Sequence, residues 1–144
     1  MTGFLLDVNV LIALLDPAHV HHNDAHDWFS ATGRKAWATC PLTENAVLRI
    51  LGDLRYQNFS GNPAAVAELL AEFFALPGHL FWPDDISILD PQKLDLTRLL
   101  NSSQVTDSYL LALAHAHGGQ LAILDRRIIT DAVKGGSRTV HLII

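Results

Sequence analysis

Two hydrophobic patterns alternate along this chain. Short uninterrupted apolar runs predict strands buried on both faces, and apolar residues that recur every three or four positions predict helices. The predicted strands are residues 3–6, 36–40, 80–82, 86–89, 121–124 and 139–144. The predicted helices are residues 8–15, about 19–32, 41–55, 63–76, about 90–100 and 104–117. Because strands alternate with helices throughout, the pattern predicts an α/β fold with a mostly parallel sheet.

Residues that favour caps and turns mark several of these boundaries. Pro17 cannot continue the first helix. Asn62 is a good helix cap, and Pro63 suits the first helical position that follows it. Residues 56–62 contain Gly, Asn and Ser and are predicted to form a loop. Residues 126–133 are compatible with either a loop or a short helix.

Composition limits the class of protein. The chain has 144 residues, of which 49% are hydrophobic, so we expect one domain, residues 1–144, with a core of its own. The formal net charge of −5 argues against a protein that coats nucleic acid by charge alone. The single cysteine, Cys40, excludes an internal disulfide and fits a reducing cytoplasm. We see neither a secretory signal nor an apolar run of membrane-spanning length, and we expect a soluble cytoplasmic protein without a membrane partner.

Four acidic residues lie at predicted strand–helix junctions. Asp7 and Asp125 follow strands, whereas Glu44 and Asp107 begin helices. In a parallel α/β sheet these junctions lie along the same edge, where ligands bind. Carboxylates gathered there would repel one another unless cations were present, and Mg²⁺ or Mn²⁺ are the cations that prefer oxygen ligands. Such ions activate water and neutralise a phosphodiester.

Each acid also has a purely structural interpretation. Asp7 and Asp107 could cap the helices that they precede or begin. Glu44 could be a favourable first-turn anion in a helix that Thr43 caps. Asp125 could form a surface ion pair with the adjacent Arg126-Arg127. Spacing alone leaves these alternatives open.

The ordered set of acidic segments resembles a known family. The four segments are Leu5-Leu6-Asp7-Val8-Asn9-Val10-Leu11, Thr43-Glu44-Asn45, Thr106-Asp107-Ser108-Tyr109-Leu110-Leu111-Ala112 and Ile123-Leu124-Asp125-Arg126. They resemble the motifs of PIN-domain ribonucleases, and their order and the chain length are most similar to VapC-type toxins. The resemblance implies a PIN-like three-layer α/β/α fold and a Mg²⁺- or Mn²⁺-dependent endoribonuclease that cuts RNA by water attack. It also implies a homodimer that a cognate VapB-like antitoxin silences.

The resemblance assigns roles to individual residues. Asp7 and Asp107 would be the principal metal ligands, and Glu44 and Asp125 would complete a catalytic acidic pocket, directly or through water. Asn9, Thr43 and Arg126 match or adjoin polar motif positions that would orient ligands or substrate. The fourth segment departs from the family pattern, because Ile123-Leu124 precede Asp125 where the family often has Thr or Ser.

Two other activities are compatible with parts of this pattern. A haloacid-dehalogenase-like phosphatase also begins with a strand that ends in Asp, but it needs a second acid where this chain has Asn9. A non-catalytic PIN-like module would bind RNA or protein without cutting, although all four acids are present here.

A group of histidines on the second predicted helix and its entry, His19, His21, His22 and His26, is better explained as an exposed polar face than as a zinc site. Some of these side chains could face RNA or the antitoxin.

Overall fold

The computed structural model describes residues 1–58 and 62–144. Their strands form one sheet of β1 Phe4–Leu6, β2 Trp37–Thr39, β3 His79–Phe81, β4 Gln120–Ile123 and β5 Val140–Leu142. The strand order is β3-β2-β1-β4-β5, and every neighbouring pair is parallel. The predicted α/β class is therefore confirmed, with a sheet that is parallel throughout.

Six helices belong to the same described residues: α1 Val8–Leu15, α2 His22–Ala31, α3 Pro41–Leu51, α4 Pro63–Phe74, α5 Val105–Ala116 and α6 Gly136–Thr139. Single turns of 3₁₀ helix occur at Gly33–Lys35, Leu96–Arg98 and Ser102–Gln104. No helix within these ranges is long and apolar enough to cross a membrane.

Helices cover both faces of the sheet. Successive residues of a strand point to opposite faces, so each strand contributes side chains to two cores. In β1, Leu6 packs into a core with residues of α1, α2, α3 and α4, whereas Leu5 packs into a second core with residues of α5. In β4, Ala122 joins the first core, and Leu121 and Ile123 join the second. The predicted three-layer α/β/α arrangement is confirmed.

The predictions for residues 86–100 are wrong in part. The expected strand at 86–89 is a series of turns, and the expected helix at 90–100 consists of turns and the 3₁₀ turn Leu96–Arg98. Ile86 and Ile88 pack against the core of α5 from this connection. The Asp90 carboxylate accepts a hydrogen bond from the backbone N–H of Gln92 at 2.9 Å, which stabilises a turn. The apolar residues here anchor a loop and do not extend the sheet.

Two further boundaries can be compared with the structure. The Asn62 side chain accepts hydrogen bonds from the backbone N–H groups of Ala64 and Ala65, at 2.9 and 3.4 Å, so the predicted cap of α4 is confirmed. Of the predicted loop at 56–62, residues 59–61 lie outside the described part of the chain. The predicted last strand is shorter than expected and occupies Val140–Leu142.

Candidate active site

Acidic residues follow three adjacent strands of the sheet. β1 lies between β2 and β4, with Leu6 in register with Ala122. The backbone N–H of Asp7 continues this ladder by donating to the Ala122 carbonyl at 3.1 Å. Asp7 therefore lies at the carboxyl edge of the sheet, between Asp125 after β4 and Glu44 in the first turn after β2.

Asp7 is buried without the capping contact that would explain its position. It is the N-cap residue of α1, and its carboxylate lies near the first N–H groups of that helix without making a well-aligned capping hydrogen bond. Only 8% of the residue is exposed. Burial, and then the charges of Asp107 and Asp125, raise its pKa to about 6, although the N–H groups of Val8 and Asn9 lower it. Capping alone does not account for this carboxylate.

Asp107 and Asp125 lie within electrostatic reach of Asp7 and of each other. Burial and then the Asp125 charge raise the pKa of Asp107, which is half-buried in the first turn of α5. Asp125 is exposed, and its oxygens accept hydrogen bonds from the Arg127 guanidinium at 3.0 and 3.1 Å and from the Arg127 N–H at 2.9 Å. These bonds lower the pKa of Asp125. The ion pair considered for Asp125 thus exists, and it involves Arg127.

Glu44 occupies the same edge but is less closely coupled to the other acids. Burial alone raises its pKa, and no charge from the described residues contributes to that shift. Its helix begins three residues earlier than a Thr43 cap would require, with Cys40 as the N-cap. The Thr43 hydroxyl accepts from the Cys40 N–H and donates to the Cys40 carbonyl, both at 3.0 Å. Buried Thr43 therefore fixes the start of the helix that carries Glu44.

Two clefts meet at Asp125. The larger, about 600 Å³, is lined in part by Asn9, His19, Asp125 and Arg126. The smaller, about 390 Å³, contains Asp107 and Asp125. The structure therefore places Asn9 and Arg126 in one cleft with Asp125. Thr43 lines neither cleft.

A fifth carboxylate, which was not among the acids predicted from the sequence, connects two of the helices at this edge. Asp84 accepts a hydrogen bond from the Leu42 N–H at the start of α3 at 3.2 Å and from the Tyr109 hydroxyl on α5 at 2.9 Å. Leu42 lies two residues before Glu44, and Tyr109 lies two residues after Asp107. The sequence held a signal for Asp84, because it follows β3 closely, as Asp7 follows β1.

His22 and His26, two of the four histidines predicted to form an exposed polar face, have a structural role. His22 Nδ1 lies 2.7 Å from the Ala13 carbonyl, and His26 Nε2 lies 3.0 Å from the Leu14 carbonyl. Since a carbonyl only accepts, each ring donates a proton to the end of α1, where carbonyls lack helical partners. These contacts explain the pair without a zinc ion.

The acidic residues of this edge suit a divalent cation that keeps most of its waters, and not one enclosed by protein ligands. Across residues 1–58 and 62–144, no group of three or more His, Cys, Asp or Glu side chains is arranged to hold a metal ion. Mg²⁺, however, typically retains several waters and binds through one or two carboxylates together with substrate phosphate. Asp7 and Asp107 would be the two carboxylates concerned, because a cation would offset the repulsion that raises the pKa of Asp7.

Comparison with known proteins identifies similar chains. The sequence is 42% identical over 137 residues to Ribonuclease VapC44 of Mycobacterium tuberculosis, covering 93% of this chain and 94% of that protein. It is 41% identical over 131 residues to Ribonuclease VapC39 of the same organism, covering 91% and 94%. Ribonuclease VapC38 is 35% identical over 139 residues, covering 96% of both chains. No protein-family model matches the chain.

Proposed function

Because this chain belongs to the family of VapC ribonucleases, we propose that it is a Mg²⁺- or Mn²⁺-dependent endoribonuclease and the toxin of a toxin–antitoxin pair. The observation that carries the proposal is the pair of Asp7 and Asp107. Asp7 is buried, has no well-aligned capping hydrogen bond and is repelled by Asp107 at the edge of a parallel sheet where ligands bind. A protein gains nothing in stability from such an arrangement, which supports a role in binding a cation.

In the proposed site, Asp7 and Asp107 hold the cation. A bound ion of this kind activates water and neutralises the charge that develops on a phosphodiester during displacement. Glu44 and Asp125 complete the acidic pocket, and Arg127 holds Asp125 in a fixed orientation through two hydrogen bonds from its guanidinium. These are oxygen ligands throughout, as Mg²⁺ and Mn²⁺ prefer.

The three residues predicted to orient ligands or substrate, Asn9, Thr43 and Arg126, have different roles. Asn9 and Arg126 line the larger cleft beside Asp125, where they can contact substrate. Thr43 acts on the backbone, since its hydroxyl is engaged with Cys40 and orients α3. Its contribution to ligand orientation is therefore indirect, through the position of Glu44.

The enzyme proposal is tested by incubating a panel of structured RNAs with the purified protein and Mn²⁺ or Mg²⁺. We expect cleavage that EDTA abolishes and that is lost in Asp7→Asn and in Asp107→Asn. The exposed Asp131→Asn variant is the matched control and should cut normally. If the native protein binds RNA but cuts none with either metal, it is a binding module. A phosphoryl group trapped on Asp7 would instead indicate a phosphatase.

We also propose that the protein forms a homodimer and that a small VapB-like antitoxin, encoded directly upstream, silences it. Sedimentation of the purified chain should give the mass of a dimer. Co-expression with the product of a small upstream reading frame should yield a stable complex without nuclease activity. A chain that sediments as a monomer, or that stays active beside every upstream product, would contradict the corresponding part of the proposal.

A further inference from the structure

The larger cleft beside the acids contains a set of side chains that metal-dependent hydrolysis does not require. Its walls include His19 and His21 from the connection between α1 and α2, Arg126 from the segment after β4, and apolar Leu124. At about 600 Å³ it has the size of a small-ligand site. It meets the smaller cleft, which contains Asp107, at Asp125 and Arg127. A chain-like substrate placed at the acids can therefore continue into it.

Both histidines line the cleft, where His21 Nδ1 also lies 3.7 Å from the Asp24 carboxylate. The two ring centroids are 5.9 Å apart with planes inclined by 44°, so the rings do not cover each other. The backbone N–H of His21 donates to His19 Nδ1 at 3.0 Å. Nδ1 therefore carries a lone pair, and the proton of the neutral ring is on Nε2. His19 thus offers an uncharged aromatic face and one hydrogen-bond donor.

Arg126 and Arg127 differ in what they can contact. The Arg127 guanidinium is engaged with Asp125. Arg126 is exposed, and within residues 1–58 and 62–144 it has neither an ion-pair nor a hydrogen-bond partner. A free guanidinium that lines a cleft is a suitable contact for a phosphate group.

We propose that this cleft binds one unpaired nucleotide of single-stranded RNA beside the bond that is cut, and that it contributes to sequence preference. His19 and His21 contact the base, with the His19 Nε2–H as a donor, and Arg126 contacts the backbone phosphate. Unstacked bases are recognised in this way, by aromatic rings and by hydrogen bonds to base edges. The inference rests on the proposed ribonuclease function and adds the place and the residues of base recognition.

Binding is measured first without cleavage, in EDTA. The histidine Cε1–H signals of the native protein are followed by NMR during titration with each nucleoside 5′-monophosphate and with inorganic phosphate. We expect the nucleotides to shift His19 and His21 saturably and phosphate alone to leave them in place. His19→Ala, His21→Ala and Arg126→Ala should each weaken binding roughly tenfold, as for loss of a stacking or phosphate contact. Arg49→Ala, an exposed arginine outside both clefts, is the control.

Cleavage is measured next on a randomised single-stranded RNA with Mn²⁺. We expect His19→Ala and His21→Ala to raise KM, to leave kcat at saturating RNA within a few-fold, and to broaden the nucleotides found beside the cut. If the native protein cuts RNA but both variants keep its sequence preference, the cleft inference is wrong and the ribonuclease proposal stands. If nucleotides shift His19 and His21 but no RNA is cut, the cleft binds nucleotides and the ribonuclease proposal fails. If phosphate shifts these signals as strongly as the nucleotides do, the cleft does not read the base.

Discussion

Replacing Asp7 with asparagine should stabilise the metal-free protein at neutral pH. Asp7 is 8% exposed, and burial and the charge of Asp107 are the main causes that raise the pKa of its carboxylate. Asparagine has nearly the same shape and carries no charge, so the buried site no longer holds a repelled anion. A residue that serves cation binding is expected to reduce stability in this way when the cation is absent.

The size of the effect follows from the pKa of Asp7, which rises from 3.8 to about 6 on folding. Because the folded state binds the proton more tightly, the contribution of Asp7 to stability is full below pH 3.8 and is lost as the pH rises through about 6. This rise in pKa corresponds to a destabilisation of about 3 kcal/mol at pH 8, where Asp7 is ionised. By the same relation, the destabilisation of the folded state by Asp7 falls to about 1 kcal/mol at pH 4.5. Asp7→Asn should therefore be about 2–3 kcal/mol more stable than the native chain at pH 8 and much closer to it at pH 4.5.

The assay is urea unfolding in EDTA at both pH values, with the exposed Asp131→Asn variant as the control for loss of one negative charge. Repeating it at pH 8 with millimolar Mg²⁺ should stabilise the native protein by mass action and should leave Asp7→Asn unchanged. Equal stability of Asp7→Asn and the native chain at both pH values would refute the reasoning. It would indicate that Asp7 acts as a helix cap, since Asn and Asp cap equally well.

Three further substitutions test the framework around the site. Tyr56→Phe removes a 2.5 Å hydrogen bond to the buried Asp16 carboxylate and should lower the free energy of unfolding by about 2 kcal/mol in urea titrations; an unchanged midpoint would contradict this. His26→Ala leaves a carbonyl at the end of α1 without its donor and should cost about 1 kcal/mol by the same measurement. Asp84→Ala breaks the link between α3 and α5 and should lower kcat for RNA by about tenfold to a hundredfold with little change in KM. Asp85→Ala is its matched control, and equal kcat values for the two variants would refute a positioning role.

The elements that carry the acids could be predicted from the sequence because their patterns are local. The apolar run before Asp7 and the periodic residues after it place β1 and α1 at Phe4–Leu6 and Val8–Leu15. The apolar segment after Asp107 likewise predicts α5, which runs over Val105–Ala116 and is buried from Ser108 to Ala114. The prediction of a strand and a helix over residues 86–100 failed for a different reason. Ile86 and Ile88 pack against the core from a loop and do not belong to a strand. A short apolar run cannot distinguish the two uses.

The partners of each acid could not be predicted in this way. Arg126 and Arg127 both adjoin Asp125, and only the folded turn selects Arg127 as the residue that binds it. Asp84 appears in the sequence as a residue of a loop, yet it connects helices 42 and 25 positions away from it. Whether Glu44 interacts with the other acids depends on how α3 lies against β1, and no local pattern records that distance.

By itself the sequence determined the class of fold, the strands that end in acids and the edge of the sheet at which those acids lie. Strand and helix periodicity are properties of local sequence, and the edge follows from the backbone connectivity of a parallel sheet. Only the tertiary structure decided that Asp7 is buried within electrostatic reach of Asp107, that Arg127 binds Asp125, and that two histidines and Arg126 share a cleft beside Asp125. Burial, charge coupling and hydrogen-bond partners depend on side chains brought together from distant parts of the chain.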